Sequence, residues 1–346
     1  MTEGTQRTPS ARSKWLSPAR LASTGALMIV IALLVLWIAP ADGYELQLVD
    51  PAHPVGPLVH LKADKAHRDP GTIYFVDVRE RPARLLERLL PWVRSNGSTL
   101  VKTPPGISSS LEQRLGQQQM SDSQKVAPYV ALKLLGYKVS ARSDGITLLS
   151  VQGGAPAART LEPGDVILAV EGHPVTTVLG LRALLGRKHP GDVVTVRFRR
   201  GAKVDQARIK TTSDPSSPGR ALIGVVGTDD LRVHLPIPVT IDSQGIGGPS
   251  AGLAFALDIL QRLGRNVTHG RKIAVTGELA LDGEVLPIGG VKQKTLGVRR
   301  AGVDVFLVPA GDNAREARRY ADGVRIIPVE NIQQALRALA TAAPKA

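Results

Sequence analysis

A run of nineteen residues without a charged side chain, residues 21–39 (LASTGALMIVIALLVLWIA), is the strongest constraint on how this chain folds. As a helix it would extend about 28 Å, close to the thickness of the hydrocarbon core of a bilayer. Because the preceding tail is basic, the pattern predicts a single-pass membrane helix with a cytoplasmic N-terminus. A cleaved signal peptide is the alternative, since Ala39-Pro40-Ala41 is similar to a cleavage site. Both interpretations place the rest of the chain outside the cytoplasm.

The composition excludes several kinds of chemistry. With no cysteine among 346 residues, disulfide frameworks, thiolate metal sites and cysteine nucleophiles are ruled out. The formal net charge of +14 favours anionic partners in general, but 4 Phe, 3 Trp and 5 Tyr leave few aromatic rings on which bases could stack. No nucleic-acid-binding motif accompanies the charge. We therefore expect no nucleic acid partner, no cofactor and no metal.

Periodicity and composition predict an α+β protein built from several regions. Residues 73–78 are strand-like, a helix is expected to begin near Pro82, and the Ser-, Gln- and Pro-rich residues 94–124 predict a mobile connection. The predicted regions are a cytoplasmic basic tail (1–20), a transmembrane helix (21–39), an extracytoplasmic α+β segment (42–124), a β-rich domain (125–212), a polar linker (213–220) and a last domain (221–346).

Residues 125–212 have the turn and strand order of a small β-rich domain. A helical run ends at Leu135-Gly136-Tyr137, Gly164-Asp165 precedes an apolar strand, and Pro190-Gly191-Asp192 opens an alternating strand. This order closely resembles a circularly permuted bacterial PDZ domain, an ordinary small β-rich domain being the alternative. The resemblance implies that an extended peptide adds to a sheet edge, and that the N–H groups of Leu135, Gly136 and Tyr137 bind its C-terminal carboxylate.

The string Gly248-Pro249-Ser250-Ala251-Gly252 opens a predicted helix and carries a candidate nucleophile, Ser250. A hydroxyl at a helix start lies near unsatisfied backbone N–H groups, here those around Gly248 and Ala251, which can stabilise an oxyanion. The string also fits the G-x-S-x-G elbow of α/β-hydrolases. That family needs an acid and then a histidine after the serine, whereas the only later histidine is His269, 19 residues on. The serine therefore requires another base.

Lys294 is the candidate base. On a helix predicted within residues 287–302, it shares one apolar stripe with Val291, Val298 and Ala301, whereas Lys292 lies off that stripe. An amine held among apolar residues loses solvation of its charged form, which lowers its pKa and lets it act as a neutral base. The alternative is a lysine whose stem packs while its amine reaches solvent.

Three motifs in order resemble the proteolytic domain of the Lon peptidases. They are Gly248 to Gly252, Thr276-Gly277-Glu278, and residues 283–294 (GEVLPIGGVKQK). The resemblance covers about 110 residues and implies that Ser250 is the nucleophile, that Lys294 is the base, and that Thr276 orients the lysine. It also implies assembly as a homo-oligomeric ring.

Two departures from that family bear on function. Gly247 stands where the family commonly has an acid, and no G-x-x-x-x-G-K-[ST] motif of an ATPase occurs in the chain. The order of membrane segment, PDZ-like region and Lon-type region resembles the exported, ATP-independent Lon-like proteases of Gram-positive bacteria. The prediction is a membrane-anchored, ATP-independent serine endopeptidase that cleaves extracytoplasmic proteins or peptides. A catalytically inactive membrane-bound PDZ adaptor and an esterase are the alternatives.

Overall fold

The computed structural model describes residues 18–62, 71–103, 109–214, 217–303 and 305–341. The helices are α1 Pro18–Ile38, α2 Leu85–Leu89, α3 Ser109–Leu134, α4 Val178–Leu185, α5 Gly252–Arg262, α6 Val291–Arg300, α7 Asp312–Tyr320 and α8 Ile332–Thr341. The strands are β1 Pro40–Val49, β2 His53–Pro54, β3 Val59–Leu61, β4 Thr72–Phe75, β5 Val78–Arg84, β6 Thr99–Lys102, β7 Ser140–Val151, β8 Val166–Val170, β9 His173–Pro174, β10 Val193–Arg200, β11 Lys203–Lys210, β12 Thr212–Asp214, β13 Ser217–Leu222, β14 Val225–His234, β15 Val239–Ile241, β16 Lys272–Val275, β17 Glu278–Leu279, β18 Val285–Leu286, β19 Val305–Pro309 and β20 Arg325–Val329.

The chain divides into two compact units, of which the first comprises Met1–Leu48 and Glu80–Pro105. Its sheet has the strand order β5-β1-β6 around a small core of Ala41, Leu46 and Ala83. Residues 1–17 of the predicted basic tail lie outside the described residues. Over the described part of the chain, no helix has both the length and the apolar character required to cross a membrane.

The second unit, Val49–Arg79 and Gly106–Ala346, contains the region that resembles a PDZ domain. Its sheet has the order β11-β10-β8-β7-β14, with β9 added to β8, and α4 packs against a separate core that includes Ile167, Leu181 and Phe198. The predicted linker 213–220 includes parts of β12 and β13, which pair antiparallel through Thr212 and Leu222.

A five-stranded sheet of order β2-β4-β16-β19-β20 forms the other half of the second unit. Strands β4, β16, β19 and β20 run parallel, and α5 is buried along almost its whole length in the largest core. Both β4 and α3 come from before the PDZ-like region, and they pack with α5 from after it. The PDZ-like region is therefore inserted into this half of the unit.

Helix α3 replaces most of the predicted mobile connection. Residues 109–134 form one helix of 26 residues, although Ser, Gln and an internal Pro128 weaken the helical signal. Its side chains Met120, Val126 and Val130 enter the core that contains α5. The helical run predicted to end near Leu135 is thus present, and tertiary packing accompanies its extension toward the N-terminus as far as Ser109.

Candidate active site

Ser250 lies in the turn immediately before α5 and is partly exposed. Its carbonyl oxygen accepts two hydrogen bonds, from the N–H of Gly277 at 2.9 Å and from the hydroxyl of Thr276 at 3.3 Å. The loop that carries the candidate nucleophile is thereby attached to the residues that follow β16. Since α5 is almost fully buried, the position of this turn is fixed by the core of the unit.

Lys294 is buried in α6, with 4% of its surface exposed, between the fully buried Val291 and Val298. The buried stripe predicted from the sequence is therefore present. Lys292 lies off the stripe, is partly exposed, and places its amine 5.7 Å from the ring centre of Tyr320. The Lys294 amine donates a hydrogen bond to Thr276 Oγ1 at 3.4 Å.

Thr276 joins the two predicted catalytic residues. It follows β16, is fully buried, and its backbone N–H donates to the carbonyl of Leu307 at 3.0 Å. The hydroxyl accepts from Lys294 and donates to the Ser250 carbonyl. A single oxygen held by the sheet therefore contacts both the amine and the nucleophile loop.

A contact with α3 shapes the loop before Ser250. The N–H of Gly248 donates to the carbonyl of Gly116 at 2.7 Å, so this predicted oxyanion donor is already hydrogen-bonded. A Cβ on Gly247 would lie 3.3 Å from the carbonyl carbon of Gly116, which is closer than side chains usually approach a backbone. The backbone of α3 therefore lies against Gly247.

Ala251 is the N-cap of α5. The N–H groups of the first two helical residues are already bonded, that of Gly252 to the carbonyl of Pro249 at 3.3 Å and that of Leu253 to the carbonyl of Gly277 at 3.2 Å.

Helix α3 contributes further contacts that the sequence reasoning missed. Ser123 Oγ donates to the carbonyl of Pro249 at 3.1 Å. Asp122 accepts hydrogen bonds from Thr228 at 3.0 Å and from Lys125 at 3.3 Å. No local motif marks these residues, because their position depends on packing across more than a hundred residues of sequence.

Asp77 is a second group that the sequence reasoning missed. Burial raises the pKa of its carboxyl, the nearby Asp50 carboxylate raises this pKa further, and the charges of His53 and Lys294 oppose the rise. Among the described residues, one Asp/His group has ligand atoms within 4.8 Å of one another, and its members are Asp50, His53 and Asp77. Asp50 is already bonded by Arg79 at 2.7 Å and by His53 at 3.0 Å. The cluster is thus an ion-pair network that brings a carboxyl close to Lys294.

The structure gives the N–H groups of Leu135, Gly136 and Tyr137 another role. Gly136 has a φ of +81°, its N–H donates to the carbonyl of Lys133, and the N–H of Tyr137 donates to that of Leu132, both at 3.0 Å. This is a Schellman cap on the C-terminus of α3. The Leu135 N–H is also bonded to carbonyls of α3. A carboxylate could reach these amides only if the cap opened, and their role in peptide binding stays a prediction.

One edge of β7, the strand that follows the predicted carboxylate-binding residues, is occupied by the chain itself. Strand β14 pairs antiparallel with β7 from Val225↔Val151 to His234↔Ser140, and Asp229 accepts the N–H of Val178 at the start of α4 at 2.7 Å. Peptide addition to this edge of β7 would require displacement of β14.

Two family models match the chain. The Lon protease (S16) C-terminal proteolytic domain matches residues 222–342, and the PDZ domain matches residues 133–211. The first match includes Ser250, Thr276 and Lys294 as well as β14, which pairs with the sheet of the second.

Among curated proteins the chain is similar to Lon proteases. It is 31% identical to Lon protease of Clostridium beijerinckii over 208 residues, which are 59% of this chain and 24% of the relative. It is 38% identical to Lon protease of Buchnera aphidicola over 112 residues (31% of this chain, 14% of the relative). It is 39% identical to Lon protease 1 of Myxococcus xanthus over 115 residues (31% and 13%). The matched part thus spans about a quarter or less of each relative.

Among solved structures the chain is similar to the PDZ domain of the SdrC-like protein from Listeria monocytogenes, with 32% identity and a TM-score of 0.24 over 26% of this chain and 93% of that one.

The family matches and the Lon homologues agree with the two halves of the second unit. Residues 133–211 therefore match a PDZ domain, and residues 222–342 match the C-terminal proteolytic domain of Lon proteases.

Proposed function

We propose that this chain is a membrane-anchored, ATP-independent serine endopeptidase that cleaves extracytoplasmic proteins or peptides with a Ser250–Lys294 dyad. The observation that carries the proposal is the Thr276 hydroxyl, which contacts the Lys294 amine at 3.4 Å and the Ser250 carbonyl at 3.3 Å. The hydroxyl would hold the amine beside the nucleophile loop and orient it.

The proposed reaction has two steps. Ser250 Oγ attacks a peptide carbonyl, and its proton passes to the Lys294 amine, which then protonates the leaving amine of the substrate. Water then gives a proton to the same amine and attacks the acyl carbon, and the amine returns this proton to Ser250 Oγ as the acyl–oxygen bond breaks. The backbone N–H of Ala251, which directly follows Ser250, would stabilise each tetrahedral oxyanion. Burial of Lys294 supports this role, because removal of water disfavours the charged form of an amine.

Independence from ATP is proposed because the 346 residues contain no P-loop motif. Without a motor, the substrate must be flexible or already unfolded where it is cut. We also propose that the chain acts as a homo-oligomeric ring and that it belongs with the exported Lon-like proteases of Gram-positive bacteria. The PDZ domain would recruit substrates.

A membrane anchor is proposed from α1 and its surroundings in the first unit. Apolar side chains from Leu27 to Ile38 are exposed along this helix, as is expected of a surface that contacts lipid. The guanidinium groups of Arg84 and Arg88 lie 4.7 Å and 4.4 Å from the ring centres of Trp37 and Tyr44. Aromatic and basic side chains in this combination are typical of the membrane–water interface.

The test is cleavage of a disordered protein by the full chain in detergent micelles, with and without ATP. Ser250→Ala and Lys294→Ala should each lower kcat by at least about 1,000-fold, whereas the matched variant Lys292→Ala should retain activity. Full activity in both dyad variants would contradict the dyad. A wild-type chain that binds peptides but neither cleaves them nor reacts with a serine-directed probe would favour the PDZ adaptor instead.

Protease accessibility in intact cells tests the location. An epitope tag at the C-terminus should be digested by external protease, and one at the N-terminus should be protected. The opposite pattern would contradict the proposed topology.

A further inference from the structure

A cavity of about 690 Å³ lies between the PDZ domain and the proteolytic domain. Its walls come from α3, the first residues of β7, the start of α4, β14, and the hairpin of β17 and β18. This volume lies within the range of sites that bind small ligands. The cavity exists only because the PDZ domain is inserted beside the proteolytic domain.

The walls combine an apolar surface with three carboxyl groups. Val126, Leu231, Leu279 and Leu286 supply much of the apolar part. The carboxyl groups are those of Asp122 on α3, Asp229 on β14 and Glu278 on β17. A ligand that matches this lining needs an apolar stem and a cationic end, as lysine and arginine side chains have.

The negative charge of the cavity is only partly balanced. Asp122 is paired with Lys125. Within the described ranges, no cation forms an ion pair with Asp229 or Glu278, and burial raises the pKa of both carboxyls. The one cationic residue of the lining, Arg142, is mostly exposed and lies 3.5 Å from Asp144. A cation that entered the cavity would meet two carboxyl groups without a charged partner.

The cavity begins at the nucleophile loop. Pro249, the residue before Ser250, forms part of its wall, and Glu278 follows the Thr276-Gly277 pair that bonds the Ser250 carbonyl. A polypeptide that placed one side chain beside Pro249 in the cavity would therefore have its backbone near the nucleophile loop.

We propose that this cavity is a specificity site, in which Glu278 and Asp229 bind a lysine or arginine side chain of the polypeptide cleaved at Ser250. This inference rests on the proposed peptidase activity. The PDZ domain then takes part in substrate selection through Asp229 on β14 and through the start of α4. This role does not require β14 to separate from β7.

The experiment compares fluorogenic peptides that differ at one position, where lysine is replaced by norleucine or by glutamate. One set of three peptides is made for each residue position that flanks the cleaved bond. The full chain in detergent micelles is assayed with every set. At one position we expect kcat/KM for the lysine peptide to exceed that for the norleucine peptide about tenfold, with the glutamate peptide slowest.

Variants of the two acids assign this preference to the cavity. Glu278→Gln and Asp229→Asn should each bring the ratio of kcat/KM for the lysine and norleucine peptides close to one. The side-chain oxygen of the introduced asparagine can still accept the hydrogen bond from the N–H of Val178, so the start of α4 should stay in place. Glu330→Gln is the matched control, because Glu330 is exposed and does not line the cavity. This control should keep the wild-type ratio.

Two results would overturn the inference. One is that kcat/KM shows no preference for lysine at any position. The other is that Glu278→Gln lowers kcat/KM equally for all peptides. If the wild-type chain cleaves none of the peptides, the proposed activity fails, and the cavity is then tested by binding. Fluorescence anisotropy with Ser250→Ala should show about tenfold tighter binding of the lysine peptide, and the second substitution Glu278→Gln should abolish the difference. Equal binding of the lysine and norleucine peptides would overturn the site as well.

Discussion

The amine of Lys294 donates a hydrogen bond of 3.4 Å to the hydroxyl oxygen of Thr276. Both side chains are buried, and the bond connects α6 to the end of β16. It gives a long, flexible side chain one defined position.

Replacement of Thr276 by valine, which has the same shape without the hydroxyl, should lower kcat about 10- to 100-fold with a smaller change in KM. The amine would then lack the oxygen that orients it. Thr276→Ser should recover most of the activity. Steady-state kinetics and thermal melting of the three proteins check this, and a valine variant with wild-type kcat would contradict the positioning role.

The close approach of Gly247 to Gly116 predicts that a side chain at position 247 displaces the nucleophile loop. The Cβ of Gly247→Ala would lie 3.3 Å from a backbone carbon of α3, so the loop or the helix must shift. We expect kcat to fall at least about tenfold, since small misplacements of a reacting group are costly. Gly153→Ala, where no atom lies within 4 Å of the added carbon, is the control. Equal kcat in Gly247→Ala and wild type would show that the loop is not constrained by α3.

The carboxyl of Asp77 should influence the pH profile of the proposed peptidase activity. Burial raises its pKa, and the charge of Lys294 acts in the opposite direction, so the two groups interact. A nearby carboxylate favours the protonated form of an amine. Asp77→Asn should therefore move the acid limb of kcat/KM to lower pH by up to about one unit. Glu316→Gln is the control, and an acid limb that stays in place or moves to higher pH would refute the interaction.

Asp165 should make the PDZ domain sensitive to acid. Although burial opposes ionisation, two hydrogen bonds of 2.7 Å from Arg200 and one from the N–H of Glu162 hold the pKa of this carboxyl below its usual value. Because the folded pKa is the lower one, the stabilisation is complete above about pH 5 and is lost as the pH falls through the folded value.

Asp165→Asn should reduce the free energy of unfolding by about 2 kcal/mol at pH 7, with a much smaller effect at pH 3. Chemical denaturation at the two pH values measures the difference. An equal loss at both would mean that the carboxylate charge is not the cause.

Short motifs and the family resemblance pointed to three residues that the structure brings together, and the catalytic roles of these residues stay predictions. Ser250, Thr276 and Lys294 each lie in a glycine-rich or apolar pattern whose local geometry follows from the sequence, and the structure connects all three through one hydroxyl. The burial of Lys294 followed from helical periodicity alone.

Contacts between distant parts of the chain were not predicted. The amphipathic signal of residues 109–125 is weak, and their position over the nucleophile loop depends on packing with α5. Leu135-Gly136-Tyr137 satisfies the requirements of a carboxylate loop and of a helix C-cap equally well, and only the fold shows that its amides bond to α3. Carboxyl groups that line one cavity from three separate elements leave no pattern in sequence.

Strand β14 pairs antiparallel with β7 of the PDZ domain and continues along the chain into the proteolytic domain, so it connects the two domains mechanically. Only the short strand β15 and a loop separate the end of β14 from Ser250. A force or a competing strand that peeled β14 from the PDZ sheet would pull on the same stretch of backbone that ends at the nucleophile. A force applied to the PDZ domain would therefore act on the nucleophile loop through fewer than twenty residues of backbone, from His234 to Ser250.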